Sequence, residues 1–290
     1  MKDIQTRHRH LTPERYQQRD FFIADLRDIS SKDDLPSMEH PVFALKAGDR
    51  RVRRYECNGT IIEVQPGVKS GLATIHDKDV WIYCISQLVH AINRGREDIS
   101  RTVHFTAYAF LVATQRATSG RDYLRLGDAL SRLSGTRVET NIETAGQRER
   151  AGFGLIDSWR VVERRDDNRM VAIEVTLPEW LYRSVLNGDV LTLDSDYFRL
   201  RGALDRRVYE LARKHCGHQT FCKIGLEKLH EKSGSTGPLK RFRLSMKSLA
   251  ETDELPGYRV SYDVTSDIVT FYSRKPKGQI KALRDQVKKI

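Results

Sequence analysis

Three short stretches of the sequence hold residue types that could do chemistry. Residues 215–222 contain two histidines and two cysteines, which are zinc ligands, but their intervals differ from the paired spacing of known zinc sites. Residues 67–71 are glycine-rich without the GxxxxGK[ST] spacing that wraps backbone amides around a phosphate. His8 and His10 lie in a polar stretch without apolar flanks. We therefore expect no metal ion, no other cofactor and no catalytic site, and a protein that is not an enzyme.

Positive charge is the other feature with chemical consequences, and it is concentrated in the last third of the chain. The formal net charge is +11 and the sequence pI is about 9.5. Residues 197–290 hold 21 Lys and Arg against 10 Asp and Glu, whereas residues 1–196 hold 29 of each sign. A surplus that served only solubility would be scattered along the chain. The concentration predicts a binding face for a polyanion, and nucleic acid is the first candidate.

A helix predicted over residues 239–249 separates apolar from basic side chains. At 100° per residue, one arc gathers the side chains expected to face the core, which are Leu239, Phe242, Met246 and Leu249. The opposite arc, which also includes Leu244, is basic and polar: it carries Lys240, Arg241, Lys247 and Ser248, with Arg243 at its edge. A helix that reads base edges in the major groove needs this division. Further basic side chains follow in a predicted hairpin and tail, where they could hold phosphates or enter the minor groove: Arg259, Arg274, Lys275 and Lys277. We expect phosphate contacts from Arg243, Arg259 and Arg274.

A second helix, predicted over residues 121–133, shows the same division with less charge. Its inward arc holds Leu126, Ala129, Leu130 and Leu133. Its outward arc holds Arg121, Arg125 and Arg132, with Asp128 between them. The aspartate dilutes the positive field in a part of the chain that is neutral overall. A weaker DNA contact and a protein interface are therefore equally open for this helix.

The elements that position these two helices occur twice in the same order. Each unit is predicted to contain a helix, a strand, two further helices and a β-hairpin, which is the order of a winged helix. We therefore predict an α+β protein with two tandem winged-helix domains, over residues 41–190 and 191–290. An added N-terminal β-hairpin is expected around Asn58-Gly59, since this dipeptide suits a type I′ turn. Residues 1–40 are expected to form a flexible N-terminal tail.

Composition also bears on where the protein works. No apolar run approaches the 18 or more residues of a membrane span, and the N-terminus is charged from Lys2 onward. Four cysteines in a chain of 290 residues do not make a disulfide framework. We therefore expect a cytoplasmic protein without a membrane partner.

Three long blocks are specific enough to suggest a family. They read FFIADLRDISSKDDLPSMEHPVFALKAGDRRVRRYECNG, GLATIHDKDVWIYCISQL and DYFRLRGALDRRVYELARKHCG. From Phe21 to Ser273 the chain resembles the replication initiator protein A family of bacterial plasmids. The resemblance implies binding to repeated sites in double-stranded DNA at the plasmid origin and opening of a neighbouring AT-rich segment. It also implies recruitment of host replication proteins such as the initiator DnaA and the replicative helicase, but it brings no list of base-reading residues.

Several alternatives stay open at this point. The same fold could serve a transcriptional repressor that acts at its own operator. A nicking enzyme would need a catalytic tyrosine and a metal held by histidines, and the sequence lacks a two-histidine strand motif. An adaptor that binds helicase alone would be nearly blind to DNA sequence and salt. The first unit could also form the interface of a homodimer.

Overall fold

The computed structural model describes residues 30–57, 59–141, 143–144, 147–148, 151–163 and 170–287. These residues form a mixed α+β structure with two hydrophobic cores. The first core draws its buried side chains from residues 42–185. The second draws on residues 193–271 and also includes Met38 and Ile82, which come from the N-terminal part of the chain. The second unit is therefore packed directly against the first.

The first unit contains the larger number of strands. In chain order its elements are β1 (Lys32–Asp34), α1 (Leu35–Glu39), β2 (Arg53–Cys57), β3 (Thr60–Gln65), α2 (Asp79–Asn93), β4 (Thr102–Phe105), α3 (Ala107–Ala113), α4 (Gly120–Gly135), β5 (Arg137–Thr140), β6 (Glu143–Thr144), β7 (Gln147–Arg148), β8 (Ala151–Gly154), β9 (Ser158–Glu163), β10 (Met170–Thr176) and α5 (Glu179–Leu186). One antiparallel sheet has the order β2-β3-β5-β8, a second has the order β4-β10-β9, and β6 pairs with β7.

Local sequence explains the first hairpin, the start of α3 and the burial of α2. Strands β2 and β3 form a hairpin with Arg53 opposite Val64, and Gly59 in its turn has a φ of 77° that suits glycine. The Thr106 hydroxyl accepts a hydrogen bond from the Ala109 amide at 3.1 Å and so caps α3. Helix α2 is buried on nearly every side, and the Trp81 indole donates to the Leu155 carbonyl at 2.7 Å. This helix is the centre of the first core.

The second unit follows a short strand, β11 (Val190–Thr192). Its further elements are α6 (Ala203–Cys216), β12 (Phe221–Gly225), α7 (Leu226–Ser233), α8 (Leu239–Thr252), β13 (Tyr258–Asp263), β14 (Ile268–Ser273) and α9 (Pro276–Val287). Strands β13 and β14 form an antiparallel hairpin, and β12 pairs with β14 to give the order β12-β14-β13. The order of elements on which the winged-helix prediction rested is therefore present.

Two segments that we expected to be tails are structured. Residues 276–287, predicted as part of a basic tail, form α9, in which Gly278 and Ala282 are buried. The Tyr272 hydroxyl donates to Asp285 of α9 at 3.0 Å. The flexible tail predicted over residues 1–40 is wrong for residues 32–40, since β1 pairs antiparallel with β11, and Asp34 caps α1 by accepting from the Ser37 amide at 2.8 Å. Residues 1–29 lie outside the described residues.

A buried ammonium group connects the two units. The Lys78 Nζ atom lies 2.6 Å from Asp33 Oδ2 and 3.1 Å from Glu210 Oε2, and all three side chains have no exposed surface. The Tyr197 hydroxyl donates to the other oxygen of Glu210 at 2.8 Å. Burial alone would lower the pKa of Lys78, but the carboxylates of Asp33 and Glu210 outweigh burial and raise it. The lysine therefore stays charged between one carboxylate of each unit.

Further ion pairs cross the same interface. Arg206 of α6 contacts Asp79 at 2.6 Å, and Arg116 of the first unit contacts the other oxygen of Asp79 at 2.7 Å. Arg207 donates to the carbonyl oxygens of Ser37 and Met38 at 3.0 Å each. Because these partners are buried, each charge is neutralised in only one arrangement of the two units. We call Asp33, Lys78, Asp79, Arg206, Arg207 and Glu210 the inter-unit network.

Replacing Lys78 with methionine tests this network. The substitution keeps most of the side-chain volume but leaves Asp33 and Glu210 as buried carboxylates without their common cation. We expect the free energy of unfolding to fall by about 3–5 kcal/mol, measured by urea denaturation. Lys46→Met is the matched control, since Lys46 is exposed. Equal unfolding midpoints for the two variants would contradict the claim that Lys78 stabilises the fold by neutralising Asp33 and Glu210.

Candidate nucleic-acid interface

Helix α8 lies with its apolar side in the second core. Phe242, Met246 and Leu249 are buried, and the Phe242 ring contacts the His230 ring with centroids 4.9 Å apart. Pro238 directly precedes the helix with a φ of −64°, the value that proline imposes. The helix ends at Asp253, which adopts a left-handed φ of 51°. The inward arc predicted from helical phase is thus the arc that packs.

The opposite side of α8 faces solvent and carries the side chains predicted to read bases. Four of them are exposed, and we call them the α8 basic face: Lys240, Arg241, Lys247 and Ser248. Leu244 lies among them and is 62% exposed. Within the described part of the chain, the three cationic side chains of this face have no hydrogen bond or ion pair. Their charges are therefore available to a ligand, and the apolar Leu244 could contact a thymine methyl group.

Arg243 differs from its neighbours because it already has protein partners. Its Nε and Nη2 atoms donate to the two carboxylate oxygens of Asp267 at 3.1 and 2.5 Å. Its Nε atom also lies 3.2 Å from the Tyr262 hydroxyl. Asp267 and Tyr262 belong to the β13-β14 hairpin, so Arg243 joins α8 to that hairpin. Helical phase placed Arg243 at the edge of the basic arc but could not show this contact.

Arg259 and Arg274 lie outside α8, on β13 and directly after β14. Arg259 is half-buried on β13, where it is paired in register with Tyr272. Arg274 contacts Asp253 at 3.1 Å and donates to the Leu255 carbonyl at 3.4 Å, so it is held at the C-terminal end of α8. A helix of 14 residues is about 20 Å long. Lys240 lies in the first turn of α8, so most of the helix length separates it from Arg274. Arg274 is therefore not grouped with the N-terminal residues of the α8 basic face.

In the first unit, α4 retains only part of its predicted basic side. Arg121 and Arg125 are exposed, and Arg125 lies 3.3 Å from Asp122. Arg132 is instead bound to Asp77: its Nε and Nη2 atoms lie 2.8 Å from the two carboxylate oxygens. This pair occupies the edge of the Arg132 guanidinium that is formed by Nε and Nη2, and contact of Arg132 with DNA stays a prediction. Helical phase gives the direction of the Arg132 side chain, but it cannot show this contact with the turn that precedes α2.

The first unit also exposes large apolar side chains, on α3 and α4, that helical phase did not single out. Tyr108 and Val112 of α3 and Leu124 of α4 are among the exposed large hydrophobic residues of the described chain. Helices α3 and α4 are in contact with each other. Helix α4 therefore exposes Leu124 beside its two exposed arginines, and α3, which contacts α4, exposes Tyr108 and Val112.

The histidine and cysteine cluster at residues 215–222 is divided between different surroundings. His215 lies 3.7 Å from Glu39, and burial lowers the pKa of its imidazole. The Cys216 thiol is buried and lies 3.7 Å from the Phe271 carbonyl oxygen. Across the described residues, no group of three or more His, Cys, Asp and Glu side chains could hold a metal ion. Across the same residues, no helix is long and apolar enough to cross a bilayer.

The fold places this chain among α+β proteins built from two units. Two solved structures have a similar fold. Crystal structures of domains 2 and 3 of RctB match this chain with TM-scores of 0.58 and 0.55, at 11% and 10% sequence identity. The matches cover 82% and 84% of this chain and 94% and 98% of the RctB chains. At this level of identity the likeness shows a common fold.

The sequence comparisons identify the family within that class. The family described as Replication initiator protein A matches residues 32–260. A putative replication protein of Wigglesworthia glossinidia brevipalpis is 46% identical over 259 residues, which cover 88% of this chain and 94% of that protein. The chain belongs to the replication initiator protein A family, and the resemblance found in its three long sequence blocks is confirmed.

The different surroundings of Arg132 and Arg125 can be tested by stability. Arg132→Ala removes two charge-assisted hydrogen bonds and leaves the Asp77 carboxylate buried, so we expect a loss of about 1.5–3 kcal/mol in thermal or urea unfolding. Arg125→Ala is the control: this side chain is 62% exposed, and its removal should change stability by less than about 0.5 kcal/mol. If both variants unfold like the wild type, the Asp77 contact is not structural.

Proposed function

We propose that this family member is a plasmid replication initiator that binds repeated sites in double-stranded origin DNA through α8. The observation that carries the proposal is the α8 basic face, whose cations are exposed and unpaired in the described chain while the opposite side of the helix is buried in the core. A helix with this division can enter the major groove without exposing its core. The excess of positive charge in residues 197–290 supports the same surface.

Each unit would act as a winged helix in this proposal. Helix α8 would be the recognition helix of the second unit, with base contacts from Lys240, Arg241, Lys247 and Ser248. The β13-β14 hairpin would be its wing, and the exposed Lys275 and Lys277 at the start of α9 would contact phosphates. Binding and deformation of DNA would suffice, so no covalent chemistry is required of the protein.

The first unit would add a second DNA contact and a protein contact in this proposal. Arg121 and Arg125 are exposed on α4 and could contact a second part of the same site, since the inter-unit network sets the position of one unit relative to the other. The neighbouring apolar side chains Tyr108, Val112 and Leu124 suit a protein contact: DnaA, the replicative helicase or a second copy of the chain. Origin opening and host recruitment in the cytoplasm would then follow from one bound complex.

DNA binding by α8 is tested by gel shift. The probe is the DNA upstream of the gene, and a scrambled duplex of equal length is the competitor. Arg241→Ala should weaken specific binding about 10- to 100-fold, because it removes a base contact. Lys247→Ala should also weaken binding, and Lys46→Ala, an exposed lysine of the first unit, is the matched control. If Arg241→Ala and Lys247→Ala bind like Lys46→Ala, α8 is not the recognition helix.

Initiation itself is tested by plasmid persistence. A plasmid without another origin should persist when it carries the gene beside its upstream repeats, and it should be lost when the gene carries Arg241→Ala. The control plasmid carries Lys46→Ala and should persist. A protein that represses transcription from the upstream DNA but never maintains the plasmid would be a repressor, and the initiator proposal would then be wrong.

A further inference from the structure

Arg243 is held in one orientation by two residues of the β13-β14 hairpin. Its Nε and Nη2 atoms face the Asp267 carboxylate, and the Tyr262 hydroxyl donates to Oδ1 of the same carboxylate. The Arg243 and Asp267 side chains are each 38% exposed, so a ligand can reach the pair. The ion pair with Arg243 lowers the pKa of Asp267, which keeps the carboxylate ionised.

The backbone around Asp267 keeps its carboxylate in a fixed position. The Asp267 carbonyl accepts a hydrogen bond from the Leu226 amide at 2.8 Å, which ties the hairpin to the start of α7. The preceding turn is closed by Asp263, whose Oδ1 atom accepts from the Thr265 amide at 3.0 Å. Asp267 itself adopts a left-handed φ of 52°, a conformation that aspartate tolerates better than most residues. The hairpin therefore sets where the Arg243 guanidinium lies.

The free edge of this guanidinium has the geometry of a base reader. An arginine has five N–H donors, and Asp267 takes those on the edge formed by Nε and Nη2. The edge formed by Nη1 and Nη2 keeps its two parallel donors, which match the O6 and N7 acceptors of guanine. A phosphate needs only a positive charge, and the Asp267 carboxylate would repel it. Arg243 is also the fifth residue of α8, within the N-terminal half that contacts base edges in a helix-turn-helix.

We propose that Arg243 is a specificity-determining residue that reads one guanine in the DNA site, and that Asp267 and Tyr262 are its positioning residues. The inference rests on the proposed function and deepens it, since it assigns a base to one side chain. It also changes the role expected for Arg243, which charge alone had suggested as a phosphate contact. Because the Asp267 carboxylate repels phosphate groups, Arg243 contributes little to non-specific binding, and its free edge can contact a base.

The test is a base-substitution panel on the bound DNA site. Each guanine is replaced in turn, by adenine with its complement and by 7-deazaguanine, which lacks the N7 acceptor. Wild-type protein should lose binding about 10- to 100-fold at one guanine read by Arg243. Asp267→Asn and Arg243→Lys should lose most of the preference at that same position. Glu251→Gln, which removes an exposed negative charge near the end of α8, is the matched control and should keep the wild-type profile.

Two results would overturn the proposal that Arg243 reads one guanine. One is a wild-type base profile in both Asp267→Asn and Arg243→Lys. The other is an Arg243→Ala variant that weakens binding equally for all sequences and lowers the salt slope of log K by about 0.9, as a phosphate contact would. Failure of the proposed function would look different: the wild-type protein would then not prefer its site to scrambled DNA. Unfolding midpoints of all variants, compared with wild type, separate a lost contact from a lost fold.

Discussion

Lys78 places a buried positive charge between Asp33 of β1 and Glu210 of α6, and the relation between the two units depends on it. Removing three charged groups from water is costly, and the cost is offset only when each group meets its partners. Arg206 with Asp79, and Arg207 with the carbonyl oxygens of Ser37 and Met38, extend the same requirement across the interface. The network therefore chiefly fixes the orientation of one unit relative to the other, since a displaced unit would leave buried charges without partners.

This constraint connects the fold to the proposed function. Helices α4 and α8 each lie on a separate core, and the inter-unit network determines how their outward sides are placed relative to each other. The region that matches the family begins at Lys32, the first residue of β1, and so includes all residues of the network together with α8. A protein that binds repeated DNA sites needs such a fixed relation, because the groove repeats at a fixed interval along the duplex.

Much of this arrangement could be predicted from the sequence, because helical phase and turn residues act locally. The two sides of α8 follow from the spacing of Phe242, Met246 and Leu249 alone. The pairs Arg132–Asp77 and Arg243–Asp267 could not be predicted, because each joins residues that are distant in the chain and meet only through tertiary packing. The structure of residues 32–40 could not be predicted for a related reason: a polar stretch is usually solvated, but here Asp33 is a partner of the buried Lys78, and Asp34 caps α1. The triplet Asp77-Lys78-Asp79, next to the apolar start of α2, was the one local signal that buried charges were present.

The most direct measurement is a hydroxyl-radical footprint of the purified protein on the DNA upstream of its gene. If the two units bind origin DNA as a rigid pair, as proposed, the footprint will show repeated protected patches on one face of the duplex, spaced by about a whole number of helical turns of 10–10.5 base pairs. These patches should be lost in Arg241→Ala, with the Lys46→Ala control unchanged. A wild-type protein that leaves this DNA uniformly cleaved, or protects scrambled DNA equally well, would contradict the account.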